Sequence, residues 1–202
     1  GHAIAYLGKG HNAGDALVAL RILRDFYGWK ISSRLSHPID DCAPLTRKKW
    51  NDLGNAENLS AMPDWQSCDR PLILIDALLG IGAQGPMREP LLAMANEMRW
   101  LRENAGARIV AVDLPSGLDA DSGNATPGSV TADLTLMIGL AKRGLLMSQA
   151  ATHTGVLSLV SVDCLKHPHP TDIELICPQT LHFGKSPRPF DLHKGMAGRV
   201  AI

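Results

Sequence analysis

Three short segments hold most of the residues in this sequence that could do chemistry together. The first, Gly8-Lys9-Gly10-His11-Asn12-Ala13-Gly14-Asp15, follows an apolar run and leads into a helical pattern. Glycines permit a tight turn and a close backbone approach, and a helix N-terminus offers unpaired N–H groups and a positive dipole end. Such a segment can cradle a phosphate. It is not a Walker A loop, because no Gly-Lys-Ser/Thr closes it, and it is not G-x-G-x-x-G, because position 13 is Ala. The bland alternative is an ordinary strand-to-helix turn capped by Asp15. The second segment, Asp76-Ala-Leu-Leu-Gly80-Ile81-Gly82-Ala83-Gln84-Gly85-Pro86, is a glycine-rich loop able to wrap a ligand, with Asp76 at its head as either a ligand group or a turn cap. The third, Asp113-Leu-Pro115-Ser116-Gly117-Leu-Asp119-Ala-Asp121, closes an apolar run with an acidic residue. Asp119 and Asp121 read as a solvated turn. Asp113, emerging from a buried run, is the better acid/base candidate.

These segments matter only if the fold brings them together. Four nearly continuous apolar runs, Ile4–Leu7, Leu72–Ile75, Ile109–Val112 and Leu134–Ile138, have the pattern of parallel strands buried on both faces. Val156–Val162 alternates and predicts a strand nearer an edge, and Lys30–Leu35 is a weaker candidate. Between them, Leu91, Met94, Ala95, Met98 and Leu101 form one apolar helical face, residues 16–27 predict a helix packed on most sides, and Thr46–Leu53 a shorter one. Residues 55–70 read as irregular. Strand and helix in alternation predict an α/β fold, a Rossmann-like three-layer αβα sandwich with a mostly parallel sheet. In such sheets ligands bind beyond the carboxyl ends of the strands, where all three segments lie. If the strands ending at Leu7, Ile75 and Val112 adjoin, Asn12, Asp76 and Ser116 converge with main-chain carbonyls into a set of hard oxygens that suits a group-one or group-two cation.

Composition narrows the partners. Twenty Lys plus Arg balance twenty Asp plus Glu in 202 residues, so no overall basic field draws in nucleic acid or anionic lipid. No stretch approaches the roughly 18 apolar residues of a membrane span. Cys42, Cys68, Cys164 and Cys177 form no C-x-x-C pair, which argues against a zinc ribbon or a disulfide scaffold and fits a reducing, cytoplasmic setting. His167-Pro-His169 reads as a solvated loop, and Lys142 either approaches a ligand or caps a strand. The four tryptophans predict core or interface packing. Gly184-Lys-Ser-Pro-Arg-Pro has the composition of a linker, and Arg199–Ile202 that of a strand cut short.

At the three segments the sequence closely resembles the N-terminal domain family of NAD(P)H-hydrate epimerases, whose pattern runs G-x-G-N-N-G-G-D-G, D-A-L-L-G-T-G-x-x-G-P and V-D-x-P-S-G-L-D-A-D-x-G. The second and third segments match almost residue for residue. The likeness continues through Ala132-Asp133-Leu134-Thr135 and Lys142-Arg-Gly144 to Asp163, and the tail from His193 resembles the opening of an ADP- or ATP-dependent NAD(P)H-hydrate dehydratase domain. The resemblance implies an epimerase-like domain over 1–183, without the helices that usually precede its first strand, and a linker with the start of a dehydratase domain over 184–202. It implies an isomerase that interconverts the two epimers of hydrated NADH or NADPH at nicotinamide C6. It assigns His11, Asn12, Ala13, Gly14 and Asp15 and the loop Gly80, Ile81, Gly82, Ala83, Gln84, Gly85, Pro86 to the substrate, potassium to Asn12, Asp76 and Ser116, and the reacting ring to Asp113. It further implies a fused or separate dehydratase and a homodimer. The first segment departs from the family at positions 11, 13 and 16, where His, Ala and Ala stand for Asn, Gly and Gly. A left-handed backbone at Ala13 would be strained, and its methyl would crowd a phosphate. The competing expectation is a catalytically silent binding or scaffold module of the same fold.

Overall fold

The structure, a computed structural model, describes residues 1–54 and 56–162. Strand β1 (His2–Leu7) runs through its middle with all six residues buried, as its unbroken apolar character predicts. The other strands are β2 (Lys30–Leu35), β3 (Glu57–Asn58), β4 (Leu72–Ala77), β5 (Arg108–Val112), β6 (Leu134–Ile138) and β7 (Val156–Val160). They form one sheet in the order β3-β2-β1-β4-β5-β6-β7, with every neighbouring pair parallel. The helices are α1 (His11–Tyr27), α2 (Pro44–Leu53), α3 (Leu91–Ala105) and the single turn α4 (Ala151–Thr154).

Side chains of β1 alternate between two cores, because successive residues of a strand point to opposite faces. Ala3, Ala5 and Leu7 join Ala13, Leu17 and Leu20 of α1. Ile4 and Tyr6 join Met94, Met98 and Leu101 of α3. The result is the expected three-layer sandwich. Because chain order reverses direction between β1 and β4, the helices that follow these strands leave on opposite faces and open a crevice at their carboxyl ends.

The expected strand over Lys30–Leu35 is present, and the expected start of the first helix needs correction. β2 is an interior strand, although its sequence signalled it weakly. Its apolar pattern is interrupted by Ser32, Ser33 and Arg34, and their polar groups find partners in His2 Nε2 (2.9 Å from Ser32 Oγ), the Glu57 carbonyl and Glu97. Helix α1 starts at His11, not near residue 16, so residues 11–15 of the first segment are its opening turn and only Gly8, Lys9 and Gly10 lie ahead of it. Gly10 is the N-cap, no side chain caps the helix, and Asp15 sits within it instead of capping it. Ala13 is helical and fully buried in the α1 core, and Gly14 lies against Thr46 of α2. Packing therefore wins over the local turn preference of Asn-Ala-Gly. It also removes the strain expected of Ala13, whose methyl faces the core. Within the range 55–70, expected to be irregular, the described residues 56–70 contribute only the two-residue β3. The domain boundary at residue 183, the tail from Gly184, the His167/His169 pair, Cys164 and Cys177 lie outside the described residues.

The turn after β1 is tight enough to exclude any side chain at Gly8, where a Cβ would fall on the Leu78 carbonyl oxygen. This contact sets the spacing of the β1 and β4 ends. Gly8→Ala should cost about 1–3 kcal/mol or more by overpacking and lower the melting temperature by several degrees. Gly82→Ala, whose Cβ meets nothing within 4 Å, should stay within about 0.5 kcal/mol of the parent. Equal melting curves for the two variants would remove the spacing role of Gly8.

Candidate functional site

The crevice between β1 and β4 opens into a hollow of about 670 Å3, within the size of small-molecule sites. One wall is the first turn of α1, with His11, Asn12 and Asp15. The facing wall is the main chain of Leu78–Ala83, and Asp113, Ile138 and Lys142 close the side toward β5 and β6. Lys9 and His37 complete the rim.

A chain of hydrogen bonds locks the three segments together. Asp76, fully buried at the end of β4, accepts the Ser116 main-chain N–H at 2.7 Å and its hydroxyl at 2.6 Å. Ser116 Oγ in turn accepts the N–H of Leu79 at 2.9 Å. The Leu79 carbonyl takes one proton of Asn12 Nδ2 at 2.9 Å, and the second goes to the Val112 carbonyl at 3.0 Å. Asn12, Asp76 and Ser116 thus meet around Leu79, as their positions after three adjoining strands led us to expect. Burial pushes the Asp76 carboxyl up to about 6, against the opposing pull of its hydrogen bonds from Ser116 and Leu78.

Asp113 is the one described non-glycine residue with a positive φ, 70°. A side chain there costs roughly 1–3 kcal/mol and persists only when the surroundings hold it. They do: its main-chain N–H donates to the Leu136 carbonyl at 2.8 Å, Oδ1 accepts the Ile138 N–H at 3.1 Å, and Lys142 Nζ lies against the same oxygen. Lys142 also donates to the Ile138 carbonyl at 2.8 Å. Both side chains are 15% exposed. Oδ1 is therefore anchored from the β6 side, while the carboxyl remains on the wall of the hollow. Lys142 does both things expected of it as alternatives: it lines the hollow as the ion-pair partner of Asp113, and it caps β6 at the Ile138 carbonyl. Neither the pairing nor the backbone twist has a sequence signal beyond the Asp that ends an apolar run.

Other expected site residues divide. His11 is exposed at the rim, whereas Ala13 and Gly14 are buried, the methyl of Ala13 in the α1 core and Gly14 against Thr46, and neither lines the hollow. Gly80, Ile81, Gly82 and Ala83 line the hollow. Gly85 lines a smaller one of about 70 Å3 beside Ser116, and Gln84 and Pro86 line neither. Lys9 and His37 were not predicted at the site. Lys9 is visible within the first segment, but nothing in the sequence around His37 points there.

The donor chemistry bears on a metal. Among the described residues no three of His, Cys, Asp and Glu gather as ligands, so a transition-metal centre has no basis there. Asn12 Oδ1, however, is buried with no hydrogen-bond partner, a costly state for an amide oxygen. Together with the carboxyl of Asp76 and the hydroxyl of Ser116 it makes an oxygen-only set, which fits a hard cation such as potassium.

Residues 2–144 match the family described as YjeF-related protein N-terminus. The chain belongs to that family. Among its relatives, the bifunctional NAD(P)H-hydrate repair enzyme Nnr of Escherichia coli (strain K12) is 32% identical over 206 residues, covering 100% of this chain and 38% of the relative. The NAD(P)H-hydrate epimerase of Rhodobacter capsulatus is 34% identical over 142 residues, covering 68% and 62%. A crystal structure of yeast ynu0 superposes with a TM-score of 0.60 at 22% identity, covering 78% of this chain and 64% of that one, which supports the fold. The chain thus spans less than two thirds of the length of these relatives. No helix among the described residues is long and apolar enough to cross a membrane.

The raised pKa of Asp76 has a direct consequence for stability. An acid held at about 6 in the folded chain, against an ordinary 3.8, keeps its proton where the unfolded chain has lost it. Its contribution is complete below pH about 4 and is lost as pH rises through about 6. In buffer free of potassium and sodium, the parent should lose thermal stability between pH 4 and 7 relative to Asp76→Asn, as followed by melting curves. Parallel curves for the two proteins would show that Asp76 does not titrate in this range.

Proposed function

We propose that this chain epimerises hydrated NADH or NADPH at C6 of the nicotinamide ring. The observation that carries the reading is Asp113, a carboxyl held in a strained backbone and anchored through one oxygen on the wall of a dinucleotide-sized crevice. Family membership and the names of the relatives supply the substrate class.

The substrate's chemistry explains what the site must do. C6 carries a hydroxyl and is bonded to a ring nitrogen with a lone pair, so loss of water gives a nitrogen-stabilised cation that water can attack from the other face. Asp113 is the proton carrier of these steps, protonating the departing hydroxyl and taking a proton from the arriving water. General acid–base catalysis of this kind contributes about 10² to 10⁴ in rate. The opening turn of α1 receives phosphate through its unpaired N–H groups, and the main chain of Gly80–Ala83 packs along the ribose. Potassium is held by Asn12, Asp76 and Ser116, where its charge offsets the burial of Asp76 and fixes the three segments. A catalytically silent module would have no use for the strain at Asp113 or for its paired ammonium, and this favours the enzyme.

The product of such an epimerase needs a dehydratase that acts on one epimer only. The sequence from His193 resembles the start of one, and the word bifunctional in the name of the E. coli relative agrees with such a fusion. The free thiols of Cys42 and Cys68 suit the cytoplasm.

Two measurements test these assignments. Given one purified epimer, the full chain should produce the other, and Asp113→Asn should slow the exchange by about 10² to 10⁴ as followed by chromatography; a variant at the parent rate removes Asp113 from the chemistry. Potassium at a hundred times its dissociation constant should stabilise the parent by roughly 2.7 kcal/mol, and Ser116→Ala should lose most of that gain. Melting temperatures that ignore potassium in both proteins would leave the ion without a place here.

A further inference from the structure

Asp113 alone leaves a stereochemical difficulty. Inversion at C6 sends the hydroxyl out from one face of the ring and brings water in on the other. A carboxyl pinned through Oδ1 by Lys142 and the Ile138 N–H reaches one face of a bound ring well and the other poorly. The hollow contains one more carboxyl, that of Asp15. Asp15 lies one helical turn beyond Asn12, on the same face of α1, and Asn12 reaches across to the carbonyl of Val112, the residue before Asp113. The two acids therefore belong to different walls of one cavity.

Their surroundings differ. Asp113 has the Lys142 ammonium. Asp15 has no hydrogen-bond partner among the described residues. It is exposed at the cavity, and the charged groups that face it are Asp113 at the end of β5, His11 on its own helix and Lys49 of α2. Desolvation, followed by the charge of Asp113, holds the Asp15 carboxyl above its usual range, with His11 and Lys49 pulling the other way. Two acids on facing walls of one cavity, only one of them held by an ammonium, can divide the work so that one donates a proton while the other accepts.

We propose that Asp15 is a second catalytic carboxyl, paired with Asp113 so that each serves one face of the substrate ring; this rests on the epimerase reading above. In one direction the carboxylic acid of Asp15 gives its proton to the C6 hydroxyl. The C6–O bond breaks, the ring-nitrogen lone pair forms the C6–N double bond, and water leaves. A water molecule on the opposite face then adds to C6, the double-bond electrons return to nitrogen, and the Asp113 carboxylate takes the proton released. The pair ends with its proton on Asp113, which is the starting state for the reverse reaction, and solvent returns it to Asp15 for another forward turnover.

The test is carried out in water labelled with heavy oxygen, with rates taken above the exchange seen without protein. Each purified epimer is incubated with the full chain, the epimers are separated, and label in each is weighed by mass spectrometry. The parent should interconvert the epimers and label both. Asp15→Asn should interconvert them about 10² to 10⁴ more slowly and still label one epimer with retention, because Asp113 can release and return water on its own face. Asp113→Asn should label only the opposite epimer. Asp15→Glu, which keeps a carboxyl, should recover about tenfold or more of the interconversion lost in Asp15→Asn and guards against simple loss of fold. Asp15→Asn interconverting within about threefold of the parent, labelling of both epimers falling together, or no recovery in Asp15→Glu would each overturn the pairing. A parent that neither interconverts nor labels would overturn the epimerase reading itself.

Discussion

The site depends on one buried carboxyl and the hydroxyl above it. Asp76 is wholly enclosed at the end of β4, and a charge there would be costly without compensation. Ser116 supplies two hydrogen bonds, and hydrogen bonds to a charged group are worth about 1.5–3 kcal/mol each. The same hydroxyl accepts the Leu79 N–H, and the Leu79 carbonyl accepts Asn12. One continuous chain of polar contacts therefore joins the ends of β4, β5 and β1. Replacing any member by an apolar residue would leave its neighbours buried without partners, so the three segments are specified as a unit.

Topology explains why these strands carry the site. β1 and β4 are neighbours in the sheet, yet α1 and α3 leave them on opposite faces, so nothing covers the gap between their ends. Gly8, pressed against the Leu78 carbonyl, brings the two chain segments as close as main chains can pass. With the gap narrow at its floor and open above, the first turn of α1 and the Gly80–Ala83 loop line the two sides of one hollow. Asp113 then enters from the third side in a backbone conformation that its neighbours enforce. The strain there is sustained by contacts from β6 and Lys142, elements that do not otherwise line the crevice floor.

Much of this was legible in the sequence because buried parallel strands leave uninterrupted apolar runs, and the residues after such runs must lie at one rim. The runs ending at Leu7, Ile75 and Val112 located Asn12, Asp76 and Ser116 from sequence alone. Sequence failed where tertiary contacts overrule local preference. The opening of α1 reads as a turn because Asn and Gly are weak helix formers, whereas burial of Ala13 and contact of Gly14 with Thr46 hold it helical. β2 was weak because its buried serines and arginine are satisfied by residues far away in the chain, including Glu97. Lys142 lies 29 residues beyond Asp113, and no periodicity encodes that meeting.

Three aspartates around one crevice show how environment divides identical side chains. Asp76 is sealed off and compensated by N–H and O–H donors, so it organises the floor. Asp113 is largely enclosed and compensated by an ammonium, which fixes its direction. Asp15 is open to the cavity and faces Asp113 with no donor of its own among the described residues. A fold that needed only charge balance would place a cation or a neutral residue at position 15, since like charges across a cavity oppose each other. Keeping a carboxyl there makes sense where protons must be handled on two sides of a bound ring, because an acid pinned on one wall by Lys142 and the Ile138 N–H reaches only the nearer face.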